Sequence, residues 1–341
     1  MSVSIKDVAT KAGVSISTVS KVINNWPTIS EATAERVRET MRELDYTPNR
    51  RAASFSRRAS WDLAFLAPLD KGRVFADPHL FEIMCGANSY VDKKNYHLTV
   101  VDVSAQSNTV ESMRDIVSGQ IFDGMIVHGS AITPEIGKLI IDKNFPHILI
   151  GRPEFETGLC WVDTNHVLEG SVAARHLAGS GCRSIAFIAG SPSGKLSRER
   201  IQGFLSVSRE RRISVPEGFI RYTQDDFESG YDIMRKLLKL PSPPDAVICE
   251  NNSTAIWVLK ALKDGGAALP EDVSLVTFDD YPLSHLMDPK PTVVDIDVFD
   301  LGFQAGRALL QKIRNPELQI QSYTTLPRLI QRSTTASFSG V

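Results

Sequence analysis

One short segment near the N-terminus carries side chains that can bind a partner through hydrogen bonds. The segment "SISTVSKVIN" (15–24) has helical spacing that turns Ile16, Ser17 and Lys21 outward, while its valines face a core. A lysine ammonium donates hydrogen bonds, and a serine hydroxyl donates or accepts them. The elements around this helix decide whether these groups contact a partner or only water.

The charge of the chain is divided unevenly between a small head and a larger body. Residues 1–60 contain ten Lys and Arg against six Asp and Glu, whereas the remaining 281 residues contain 28 against 34. Four arginines lie in the segment 46–60, which has no acidic residue. A basic head on an acidic body predicts a polyanionic partner for the head.

The pattern around the exposed helix predicts a helix-turn-helix unit. Ser4 and Asp7 have the spacing of a capping box, and Gly13 can end the first helix in a left-handed turn. Three short helices with a tight turn between the first two form this unit. We therefore expect an all-α head over residues 1–48, followed by a hinge helix or linker over residues 49–60.

Apolar runs alternate with amphipathic stretches from Trp61 onwards. This alternation predicts parallel sheets covered by helices on both faces. Eight apolar runs are too many for one small sheet, so we expect two doubly wound subdomains, with a break near 155–165. The eight predicted strands are "LAFLAPL" (63–69), "HLTVVDV" (97–103), "DGMIVHG" (123–129), "HILIG" (147–151), "SIAFIAG" (184–190), "FIRYT" (219–223), "DAVICEN" (245–251) and "VSLVTFDD" (273–280).

The sequence resembles the LacI/GalR family of bacterial transcription regulators over essentially its whole length. The resemblance implies a helix-turn-helix head and an α/β core like that of periplasmic binding proteins, made of two doubly wound parallel-sheet subdomains. The core would span 61–341, with an N-terminal subdomain of about 61–162 and 293–324 and a C-terminal subdomain of about 163–292 and 325–341. The segments that carry the resemblance are "IKDVATKAGVSISTVSKVIN", "RELDYTPN", "DPHLFEIMCGA", "HLAGSGCRSIAFIAG", "RERIQGF", "NNSTAIWVLKAL", "VSLVTFDD" and "LPRLIQRSTTA".

The resemblance implies that the second helix of the head lies in the major groove of double-stranded DNA. Ile16, Ser17 and Lys21 would then touch base edges, and Lys21 can donate to guanine O6 and N7. The alternative is a solvated lysine beside an exposed isoleucine. The residues expected to bind the phosphate backbone are Thr18, Ser20, Asn24, Arg50 and Arg51.

The hinge departs from the family at one position. Relatives usually place a leucine where this chain has Phe55, and the two leucines of a dimer enter the minor groove. Phenylalanine is also an accepted wedge between bases. We therefore expect Phe55 to insert into the duplex, and the alternative is that it packs against its own domain.

The resemblance also implies that a small effector binds between the subdomains. Arg200 and Asp279 match the arginine and carboxylate that hold ligands in relatives, although they could instead form a structural ion pair. His79, where relatives often carry phenylalanine, could read a hydroxyl or be only a loop histidine. The remaining expected effector contacts are Phe75, Arg152, Phe227 and Asn251. This set favours a sugar or polyol over a purine.

Together these features predict a cytoplasmic, sequence-specific transcription regulator, most often a repressor in this family. Two chains are expected to bind a pseudo-palindromic operator as a homodimer, because each head reads one half-site. We expect no cofactor, bound metal, membrane segment or enzymatic activity, since phosphate-loop, nucleophile-elbow and metal-ligand motifs are lacking. An activator, or a regulator with a purine co-repressor, remains open. A sugar-binding protein without DNA function is a more remote alternative.

Overall fold

The chain forms two compact units, Met1–Trp61 and Asp62–Val341. Each unit has its own apolar core. The computed structural model describes residues 3–23, 26–46, 60–69, 78–104, 109–119, 121–223, 226 and 228–336.

The head consists of three helices. They are α1 (Ile5–Ala12), α2 (Ile16–Ile23) and α3 (Glu31–Glu43). The Asp7 carboxylate accepts hydrogen bonds from the Ser4 backbone N–H at 2.8 Å and the Ser4 hydroxyl at 2.7 Å. Gly13 ends α1 with a φ of 66°. Val8, Val19 and Val37 are fully buried between the helices, and the predicted helix-turn-helix unit is confirmed.

The core contains two six-stranded sheets. Each sheet forms a lobe together with the helices that cover it, and we call them the first and second lobes in chain order. The first sheet has the order β2-β1-β3-β4-β5-β11 and is parallel throughout. The second sheet has the order β7-β6-β8-β9-β10-β12, and its last pair is antiparallel. The strands are β1 (Asp62–Ala67), β2 (His97–Asp102), β3 (Gly124–His128), β4 (His147–Ile150), β5 (Trp161–Thr164), β6 (Ile185–Ala189), β7 (Ile220–Tyr222), β8 (Ala246–Cys249), β9 (Ser274–Phe278), β10 (Thr292–Asp295), β11 (Gln321–Thr325) and β12 (Arg328–Ile330).

Helices cover both faces of each sheet, as predicted for doubly wound lobes. In the first lobe α4 (His79–Val91) and α12 (Val298–Arg314) bury one face, and α5 (Thr109–Gly119) and α6 (Pro134–Asp142) bury the other. In the second lobe the corresponding pairs are α7 (His166–Gly179) with α8 (Lys195–Arg211), and α9 (Ser229–Leu237) with α10 (Asn252–Gly265). A short helix, α11 (Pro282–Leu286), follows β9.

Two details of the expected layout are corrected by the sheet topology. The supposed break near 155–165 contains a strand, β5, which pairs with both β4 and β11. The chain also leaves the second lobe later than residue 292, because β10 continues to Asp295 and pairs with β9. All eight predicted strands are confirmed, with ends that differ by at most two residues.

The helices α7 and α8 meet at a close backbone contact. A Cβ atom added at Gly170 would lie 1.9 Å from the carbonyl oxygen of Arg200, and one added at Gly203 would lie 1.9 Å from that of Val167. Only glycine permits this approach. The contact places the backbone of Arg200 directly beside the helix that carries Glu169.

Candidate functional sites

The exposed face of α2 has the orientation that the sequence predicts. Ile16 is 47% exposed, and Ser17 and Lys21 are exposed as well. The Ser15 hydroxyl accepts from the Thr18 backbone N–H at 3.1 Å and thereby caps the helix. Lys21 forms no ion pair with any residue that the structure describes, so its ammonium is available to a partner.

The other residues expected at the DNA surface divide into two groups. Thr18 and Ser20 are half-buried on α2, and the Thr18 hydroxyl lies 2.9 Å from the Ser15 hydroxyl. Asn24, Arg50, Arg51 and Phe55 lie outside the described residues, as do Phe75 and Phe227 of the expected effector site.

Arg200 is the most deeply buried cation of the core, with an exposure of 1%. Its Nε donates to Glu169 Oε2 at 2.7 Å, and its Nη1 donates to the Glu250 carbonyl oxygen at 2.8 Å. The guanidinium carbon lies 3.9 Å from the centre of the Phe278 ring, a cation–π contact. Among the described residues, Glu169 is the carboxylate that forms an ion pair with Arg200. The alternative of a structural ion pair between Arg200 and Asp279 is not observed.

Glu169 and Asp163 hold a protonated histidine between them. His166 Nδ1 lies 2.8 Å from Glu169 Oε1, and His166 Nε2 lies 3.2 Å from Asp163 Oδ1. Burial lowers the pKa of His166, but the charge of Glu169 and the hydrogen bonds to both carboxylates outweigh burial and raise the pKa to about 9. Burial likewise raises the pKa of Glu169, yet the charges of Arg200 and His166 lower it to about 2. The cluster is thus fully ionised near neutral pH.

His166 should make the stability of the protein fall as the solution becomes alkaline. Its pKa rises from an ordinary 6.5 to about 9 in the folded chain, so its stabilisation is complete below pH 6.5 and is lost between pH 6.5 and about 9. The size of the loss is about 3 kcal/mol. Urea unfolding at pH 6 and pH 9 should show this loss in the parent protein and not in His166→Gln.

A second buried histidine supplies the control. Burial lowers the pKa of His147, so this group affects stability only below pH 6.5. His147→Gln should therefore retain the alkaline loss. Equal alkaline losses in the parent protein and in His166→Gln would refute the assignment of His166 as the titrating group.

Ion pairs connect the two lobes next to this cluster. Lys195 at the start of α8 donates to Asp163 of β5 at 3.1 Å and to Glu199 at 3.1 Å. Arg152, which follows β4, donates to Glu199 at 3.3 Å through its side chain and to Asp163 at 2.7 Å through its backbone N–H. The Arg198 side chain of α8 also pairs with Glu154 of the first lobe. Arg152 therefore reaches the cleft but is committed to carboxylates there.

Asp279 of the second lobe and His79 of the first lobe lie beside each other. His79 at the start of α4 lies with Nδ1 2.9 Å from the Tyr281 hydroxyl and 3.8 Å from Asp279 Oδ2. Asp279 directly follows β9, is 5% exposed and has a φ of 66°. Its Oδ1 is buried without a hydrogen-bond partner among the described residues. Arg200 contacts the carbonyl oxygen of Glu250, directly after β8, and Asp279 follows β9, the neighbouring parallel strand.

The two asparagines after β8, Asn251 and Asn252, have different roles, and the expectation concerned only Asn251. Asn251 Oδ1 accepts from the Thr254 backbone N–H at 2.8 Å and caps α10. Asn252 is the buried member, with an exposure of 2%, and its Nδ2 donates at 2.9 Å to the carbonyl oxygens of both Phe278 and Asp279. Asn252 is therefore the residue that supports Asp279, and an effector contact by Asn251 stays a prediction.

Sequence reasoning missed the carboxylates and cations that surround Arg200. One signal was available: His166 and Glu169 lie three residues apart at a helix start, on one helical face. The residues that it did not single out are Asp163, His166, Glu169, Lys195, Glu199, Glu250 and Asn252.

A cavity of about 370 Å³ lies away from these residues, beside α9 and α10. Its lining includes Tyr231 and Lys260, which both bind Asp264, at 3.0 and 2.7 Å. None of the predicted effector residues that the structure describes belongs to this lining. The effector site expected at Arg200 and Asp279 stays a prediction. In the described ranges, no helix is long and apolar enough to cross a bilayer.

Comparison with known proteins places both units. Residues 4–49 match the model of bacterial regulatory proteins of the lacI family, and residues 174–335 match a periplasmic-binding-protein-like domain. A probable HTH-type transcriptional repressor, ExuR of Bacillus subtilis (strain 168), is 31% identical over 324 residues, which are 94% of each chain. The chain thus matches this relative over almost its full length.

Solved structures of related regulators have the same fold. The complex of transcriptional regulator CelR with cellobiose superposes with a TM-score of 0.72 at 25% identity, over 97% of this chain and 99% of that one. The lac repressor dimer bound to operator and the anti-inducer ONPF gives a TM-score of 0.81 at 24% identity, over 99% and 100%. The predicted fold is confirmed, and so is the prediction that the chain is not an enzyme. The chain belongs to the lacI family of bacterial regulatory proteins.

Proposed function

We propose that this protein is a transcriptional repressor that binds a pseudo-palindromic DNA operator as a homodimer in the cytoplasm. The observation that carries the proposal is the exposed face of α2, where Ile16, Ser17 and Lys21 project from a rigid three-helix unit. Such a face fits the major groove, where Lys21 can donate to guanine and Ile16 can contact a thymine methyl. Phosphate contacts by Thr18 and Ser20 would fix its register.

Three features support a homodimer. Each head can read only one half-site, and the lac repressor structure with the same fold is a dimer on its operator. The core also exposes apolar side chains that water disfavours: Phe81 is 50% exposed, Val100 of edge strand β2 is 43% exposed, and Leu286 is 80% exposed. A second copy of the chain would cover such groups.

We further propose that a small polyhydroxylated effector, a sugar or sugar derivative, binds between the lobes. The support is the carboxyl end of two neighbouring strands, where ligands of such sheets bind. Arg200 contacts Glu250 directly after β8, and Asp279 directly follows β9 and lies 3.8 Å from His79 of the other lobe. The cellobiose complex of CelR is a relative of the same fold with a sugar ligand. The effector would act by favouring one arrangement of the lobes over another.

Lys21→Ala tests the DNA interface. We expect it to weaken operator binding by about 5- to 150-fold, because one base contact is worth about 1–3 kcal/mol. Binding to random duplex should change much less. Fluorescence anisotropy at one fixed salt concentration, with an operator enriched from genomic DNA and a random duplex of the same length, measures both.

Lys11→Ala is the matched control. Lys11 is an exposed lysine of α1 that already pairs with Glu43 at 3.0 Å, so its removal should leave the ratio of operator to random binding unchanged. If Lys21→Ala lowered the affinity for both duplexes equally, Lys21 would contact phosphates and not bases.

A further inference from the structure

The charges around Arg200 and Asp279 define the kind of ligand that this site accepts. We propose that the cleft binds an uncharged or cationic ligand rich in hydrogen-bond donors, and that it rejects carboxylated or phosphorylated ligands. This inference rests on the effector site proposed above and deepens it.

The described cations of the cleft are already neutralised inside the protein. Arg200 and Glu169 are paired at 2.7 Å, with side-chain exposures of 2% and 0%. Lys195 is held by two carboxylates at 3.1 Å each. Arg152 donates to Glu199 at 3.3 Å. An anionic ligand would have to displace a carboxylate from one of these pairs, and a displaced buried carboxylate is strongly unfavourable.

The net charge of the cluster also opposes an anion. The carboxylates are Asp163, Glu169, Glu199, Glu250 and Asp279, and the cations paired with them are Arg152, His166, Lys195 and Arg200. Even a protonated His79, 3.8 Å from Asp279, only balances the five carboxylates, so no positive charge is in excess. The negative charge of an anionic ligand would therefore be buried without a counterion.

Two buried side-chain oxygens lack a hydrogen-bond donor among the described residues. Asp279 Oδ1 and Asn252 Oδ1 are buried and accept no hydrogen bond from the described residues. Asn252 is oriented by its two Nδ2 bonds to backbone carbonyls, which leaves its Oδ1 as the atom to satisfy. Both atoms can only accept. Ligand hydroxyl or ammonium groups can donate to them, whereas a carboxylate or phosphate brings further acceptors.

A matched ligand panel tests the inference on the full-length protein. Thermal-shift measurements followed by calorimetry would compare neutral monosaccharides, disaccharides, polyols, nucleosides and amino sugars with uronic acids and sugar phosphates of the same stereochemistry. We expect the strongest stabilisation from a non-anionic compound. Its carboxylated or phosphorylated counterpart should bind about 100-fold more weakly, since like charges at an interface cost several kcal/mol.

Asp279→Asn adds a test of the mechanism. The variant should lower the affinity for the neutral ligand and reduce the ratio of that affinity to the affinity for the anionic counterpart. Glu271→Gln, at an exposed carboxylate of the same lobe, should change neither the affinity nor the ratio. If the compound that binds most tightly is anionic, the inference is wrong, although the proposal of an effector site still stands. Failure of every compound to bind would count against the effector site itself, and so against both proposals.

Discussion

Replacement of Glu169 by alanine will lower the free energy of unfolding by about 3–5 kcal/mol, because it leaves the Arg200 guanidinium charged and buried without its counterion. Arg200 is 1% exposed and Glu169 is fully buried, so water cannot take the place of the lost carboxylate. His166 also loses one of its two anionic partners. Urea unfolding followed by circular dichroism, with comparison of midpoints and slopes, measures the effect.

Two further variants isolate the buried charge as the cause. Glu210→Ala removes a surface partner of Arg175 at 3.6 Å, where the two side chains are 52% and 55% exposed, and should cost no more than about 1 kcal/mol. The double variant Glu169→Ala/Arg200→Met should regain much of the lost stability, since an apolar pair needs no counterion. A Glu169→Ala loss as small as that of Glu210→Ala would contradict this account.

Gly170→Ala will have the second-largest effect, a loss of about 3 kcal/mol in the free energy of unfolding. The added methyl carbon would lie 1.9 Å from the Arg200 carbonyl oxygen and 2.7 Å from its carbonyl carbon. No side-chain rotation relieves a clash with backbone, so α7 and α8 must separate. The separation also draws Arg200 away from Glu169, and the same urea experiment should detect the combined cost.

Gly158→Ala provides the comparison for this glycine. A Cβ atom there would meet only Ile141 Cδ1 at 3.9 Å, an ordinary contact. We expect a change within about 0.5 kcal/mol, or a slight gain from the lower entropy of the unfolded chain. If both alanine variants unfolded at the same urea concentration, the close contact between α7 and α8 would not explain why Gly170 is needed for stability.

The eight strands that form continuous apolar runs could be predicted from the sequence, and β5, β10, β11 and β12 could not. β1, β3, β6, β8 and β9 are buried almost throughout, so their runs of apolar residues are continuous. The strands β5 and β12 have four and three residues. β11 is mostly exposed and reads "QSYTT". Such segments become strands only because a partner strand lies beside them, which is information that local sequence does not contain.

The site could be predicted in part for a similar reason. Arg200 and Asp279 lie in recognisable segments, and in the structure Arg200 contacts Glu250 directly after β8 while Asp279 directly follows the neighbouring β9. Their partners are set by three-dimensional proximity: Glu169 lies 31 residues from Arg200, and His79 lies 202 residues from Tyr281. Spacing could not distinguish Asn251 from Asn252 either. Only the capping geometry of α10 shows which of the two amides is buried.

The sheet order determines when each part of the protein can fold during its synthesis. The first lobe needs α12 and β11, and the second needs β12, so neither lobe is complete until residues 298–330 have left the ribosome. The head, in contrast, is made of local helical contacts within the first 61 residues and can fold as soon as it emerges. A nascent chain therefore carries a finished DNA-reading unit ahead of an unfinished core, and a premature stop near the C-terminus damages both lobes at once instead of removing one.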